Sequence, residues 1–111
     1  MKNLETIKSE IISLPTIMNI SEEIRIINDL MKVETEDLIV NKDIFRFIVD
    51  SLELSHADSG FMDVTKENEK NFINFYVWLR KINTDYGLSL NNNTIDVFGM
   101  SIEDINRSMN L

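Results

Sequence analysis

His56 is the single histidine in a chain of 111 residues, and it stands two positions before Asp58. Histidine is the usual general acid–base, because its ordinary pKa lies near neutrality and a neighbouring carboxylate can orient its ring. A nucleophilic relay also needs a serine or cysteine held against that ring. The chain has no cysteine, and one histidine in the polar run Ser55-His56-Ala57-Asp58-Ser59-Gly60 reads more simply as a surface loop residue. Catalysis would require His56, Asp58 and Asp63 to share a concave pocket. The expectation is that the chain is not an enzyme.

The same stretch resembles a cation loop only in being acidic and containing a glycine. Calcium loops of the EF-hand kind need oxygen ligands at positions 1, 3 and 5, a glycine at 6 and a glutamate at 12. Counted from Asp58, the glycine falls at position 3 and Asp63 occupies position 6, so the spacing fails. Zinc favours cysteine and histidine together, and the chain has one histidine and no cysteine. Gly60, Gly87 and Gly99 stand too far apart to cradle a phosphate. No catalytic residue, metal or other cofactor is expected.

Two sets of residues suit a binding surface. The formal net charge is −8, and residues 21–63 hold eleven acidic and four basic side chains. Glu22, Glu23, Asp29, Glu34, Glu36, Asp37, Asp43, Asp50 and Glu53 fall in that segment. Together they could imitate a phosphate backbone and occupy a basic groove on a nucleic-acid-binding enzyme. Acidic residues also favour helix N-termini, which by itself accounts for Glu22, Glu23, Glu36, Asp37 and Asp43. Direct contact with nucleic acid needs clustered Lys and Arg and is not expected. The second set is Ile73, Val77 and Trp78, which lie off the main apolar stripe of a long helix. They read as core buried on a second side, or as a patch for a partner or a second copy of the chain.

These residues must be positioned by helices. Leu4, Ile7, Ile11 and Leu14 predict a helix over 3–13 that Pro15 ends. Ser21 caps a second helix over 22–31, with Ile20, Ile24, Ile27 and Met31 on one face. Residues 32–40 read as a helical turn, with Thr35 capping a short helix from Glu36, rather than as a short strand over Leu38-Ile39-Val40. A helix over 42–54 has an apolar arc so wide, from Ile44 through Phe47 to Leu54, that it must meet several neighbours. Residues 55–63 read as loop. Thr65 and Gly87 bracket the longest helix, 66–86. Leu88-Ser89-Leu90 and Thr94–Phe98 alternate around Asn91-Asn92-Asn93, which predicts a small β-hairpin over 88–98. Ser101 caps a last helix over 102–109.

The expected fold is mainly α: one helical domain over 1–111, a compact bundle of about five helices around the long helix. No secretory leader or membrane-length apolar run is present, so a cytoplasmic protein away from the membrane is expected. Sixteen isoleucines, thirteen asparagines and a single alanine, Ala57, suit an AT-rich genome. That bias, the small size and the lack of a site have the style of an accessory protein from a phage or mobile element. The expected function is binding another protein, as an adaptor, assembly factor or assembly subunit. The alternative is an acidic inhibitor that mimics nucleic acid.

Overall fold

The computed structural model describes residues 2–57 and 65–100. Among them the fold is mainly α, with six helices and no strand. The expected helix over 102–109 lies outside the described residues.

Helix α1 (Leu4–Ser13) begins where the Asn3 side chain accepts the Thr6 backbone N–H, and it buries Leu4, Ile7 and Ile11. It stops because Leu14 precedes Pro15 and is forced into extended backbone, φ −96°, ψ 159°. Helix α2 (Ile20–Met31) starts earlier than expected. Its cap is Asn19, whose side chain accepts the Glu22 N–H, rather than Ser21. Its inward face is also rotated from the expected one, burying Glu23, Ile26, Ile27 and Leu30. Ile20, Ile24 and Met31 lie only half-buried against the core.

Helix α3 (Thr35–Val40) confirms the helical turn, and helix α4 (Lys42–Ser55) follows it directly through Asn41. Helix α5 (Lys66–Tyr86) has the expected bounds. Thr65 accepts the Asn68 N–H at its start, and Gly87 closes it in the left-handed region at φ 58°.

No hairpin forms over residues 88–98. Asn91 caps helix α6 (Asn92–Phe98) by accepting the Asn93 N–H. The Leu88/Leu90 alternation does report burial, since both are buried around an exposed Ser89. Among the described residues no strand pairs with that segment. Asn83 on α5 accepts the Leu90 N–H through Oδ1 at 2.9 Å and donates from Nδ2 to the Leu90 carbonyl at 3.4 Å. One side chain thus satisfies backbone groups that a ladder would otherwise need.

A single apolar core joins these elements. Helix α1 packs on α2 and α4, α3 on α4, α5 on α2 and α6, and α6 on α4. At the centre Phe75 meets Phe98 edge-on at 5.0 Å. No helix among the described residues is long and apolar enough to cross a membrane.

Candidate functional site

His56 is not a surface loop residue. Helical backbone carries it past the end of α4, and it is 2% exposed. Its ring lies 4.3 Å from that of Phe72 and 5.6 Å from that of Phe98. Nδ1 is 3.0 Å from Oε1 of Glu23, a side chain with no solvent exposure. With Glu23 as a carboxylate, Nδ1 carries the proton and donates it. Ser55 donates its hydroxyl to Glu23 Oε2 at 3.0 Å and accepts the Met18 N–H at 2.8 Å. The acid that helix polarity explained on sequence grounds therefore ties α2 to α4 and to the chain entering α2. Burial of all three side chains makes this cluster an internal brace. Asp58 and Asp63, which catalysis would require beside His56, lie outside the described residues. Among the described residues no group of three His, Asp or Glu side chains could hold a metal ion.

The acidic candidates divide into two groups. Asp37 is committed to the fold, since Oδ2 accepts the Leu4 N–H at 3.1 Å and Oδ1 accepts Asn41 Nδ2 at 2.6 Å. Glu34, Glu36, Asp43 and Asp50 are exposed and Glu53 is half-buried. On α1 and α2 the acids are largely neutralised. Lys2 bridges Glu10 and Asp29 at 2.7 and 2.9 Å, and Arg25 holds Glu22 at 2.7 Å. Among the described residues Glu34, Glu36, Asp50 and Glu53 make no such salt bridge. Asp43 has only a distant one to Arg46, at 3.9 Å. Uncompensated negative charge therefore gathers on α3 and α4. Partial burial pushes the Asp50 carboxyl above the usual carboxylate range, against the opposing pull of Arg46, although the residue as a whole is exposed.

Ile73, Val77 and Trp78 do not form one open face. Trp78 turns inward, edge-on to Phe45 at 5.9 Å and stacked on Phe75 at 5.9 Å. Ile73 is half-buried, and Val77 alone of the three stands well out, at 57% exposure.

The larger apolar surface lies elsewhere. Ile12, Leu14, Pro15, Phe47 and Leu54 line a groove of about 200 Å³ between α1 and α4, with Ile11 and Met18 among its deeper walls. Ile12 is 65% exposed, Phe47 41% and Leu54 47%. Lys8 sits 5.7 Å above the Phe47 ring at one end. The signal for this groove was present in the sequence as the excess width of the α4 arc. Among the described residues α4 packs against α1, α3 and α6, and Phe47 and Leu54 stay exposed.

No protein-family model, curated protein or solved structure matches this chain.

Proposed function

We propose that this chain is a small non-enzymatic protein that works by binding another protein, as an adaptor, assembly factor or assembly subunit. The α1–α4 groove carries the reading. Its exposed Ile12, Phe47 and Leu54 are contiguous rather than scattered, and contiguous apolar surface is where protein partners dock. At about 200 Å³ the groove is smaller than the roughly 300–1,000 Å³ of sites that enclose small ligands. It suits one or two large side chains projecting from a partner.

A second reading, an acidic inhibitor that occupies a basic groove, has its own support in the uncompensated acids of α3 and α4. The two readings differ in salt dependence, because an exposed charge pair is screened and an apolar contact is not.

The test is affinity capture from native lysate with the tagged full chain and with an Ile12→Ser/Leu54→Ser variant, each washed at low and high salt. A partner that survives high salt and is lost with the variant is the expected result. A nucleic-acid enzyme released by high salt from both forms would favour the inhibitor. Capture of no protein by either form would end the binding reading.

A further inference from the structure

The α4 side of the groove is acidic as well as apolar. At about 100° per residue, Asp43, Phe47, Asp50, Ser51 and Leu54 fall within roughly one third of the helix circumference. Phe47, Ser51 and Leu54 line the groove, and the two aspartates lie along the outer edge of the same stripe. The side chain of Asp43 is 89% exposed, and Asp50 makes no salt bridge among the described residues. The pair therefore flanks an apolar slot with two carboxylates that share one nearby cation, Arg46, 3.9 Å from Asp43.

We infer that the α1–α4 groove takes an amphipathic helix of a partner protein, its apolar side chains seated between Ile12, Phe47 and Leu54 and its Lys or Arg side chains against Asp43 and Asp50. The inference deepens the protein-binding reading and rests on it. An amphipathic helix presents anchors at i, i+3, i+4 and i+7, a spacing that matches the run of the groove along α4. Basic flanks follow from charge complementarity, since a partly desolvated carboxylate such as Asp50 gains most from an incoming cation. A second copy of this chain is a poor occupant of the same groove, because it would bring another acidic stripe and a net charge of −8.

The test uses two labelled synthetic peptides with the same Leu-rich face, one with lysines and one with glutamates on the polar face, titrated with the full chain by fluorescence anisotropy. The lysine peptide is expected to bind at least about tenfold more tightly at low salt, with the gap closing at high salt. Asp43→Asn/Asp50→Asn should remove most of the gap. Glu67→Gln/Asp85→Asn, the same charge change on the exposed face of α5, should leave it intact. Leu54→Ser should weaken both peptides, with circular dichroism confirming that the variant is folded. Equal binding of the two peptides, or equal effects of the two charge variants, would overturn the inference. So would binding of neither peptide. If neither binds while capture from lysate still depends on Ile12 and Leu54, the basic helix falls and the protein-binding reading stands.

Discussion

Oε1 of Glu23 lies 3.0 Å from Nδ1 of His56, across 33 residues of chain, and neither side chain is open to solvent. A carboxylate in such a place is tolerated only when its lone pairs are taken up, and His56 and Ser55 take them up from one helix end. The pair also accounts for the rotation of α2. Turning Glu23 inward carries Ile26, Ile27 and Leu30 with it and leaves Ile24 half-buried.

Removing Glu23 deprives His56 and Ser55 of their shared acceptor in a buried site. Glu23→Ala is expected to cost about 1–3 kcal/mol, and Glu23→Gln less, because an amide oxygen still accepts. Urea unfolding followed by circular dichroism measures both. A loss below about 1 kcal/mol for Glu23→Ala would show that the brace is dispensable.

Gly99 follows α6 with its Cα close to the ring of Tyr76 on α5. A Cβ built there would stand 2.8 Å from Cδ1 and 2.9 Å from Cε1 of that ring. The ring is held by packing and by Arg80, whose NH1 donates to its hydroxyl at 2.8 Å. Gly99→Ala should therefore destabilise by about 1–3 kcal/mol through overpacking. Gly87→Ala should cost about 1 kcal/mol for a different reason, a left-handed φ of 58° with open space around it. Combining Gly99→Ala with Tyr76→Leu should recover part of the first loss and none of the second, as read from thermal midpoints.

Lys2 has its pKa raised by hydrogen bonds to Glu10 and Asp29, the two largest causes. A group whose pKa is raised on folding adds stability that is complete below its unfolded value and is lost as pH rises through the folded one. Lys2→Met should therefore lower the melting temperature at neutral pH. The difference from the parent chain should shrink at alkaline pH, above the ordinary lysine range. A difference that stayed constant across that range would assign the effect to packing rather than charge.

Legibility from sequence followed the strength of local signals. Helix α5 was readable to the residue because Thr65 and Gly87 are cap types with one dominant use each. The stretch 88–98 misled because Ile95 and Phe98 fit a helix while Ile95 and Val97 also alternate with Thr94 and Asp96, and a segment this short cannot separate the periods. Asn91 settled the matter as a cap, through the Asn93 N–H. His56 was misplaced because its burial depends on Glu23, a residue that already had a sufficient local explanation in the dipole of α2. The groove was half legible: Phe47 and Leu54 were visible as surplus on α4, but only the packing of α1 shows that Ile12 completes it.

The most direct measurement is a heteronuclear NMR titration of the isotope-labelled full chain with the lysine-faced amphipathic peptide. Docking in the groove predicts amide shifts concentrated over residues 11–18 and 43–54, reduced by Leu54→Ser and by Asp43→Asn/Asp50→Asn. Shifts centred instead on Ile73 and Val77, or spread over the acidic surface without regard to the groove, would contradict it.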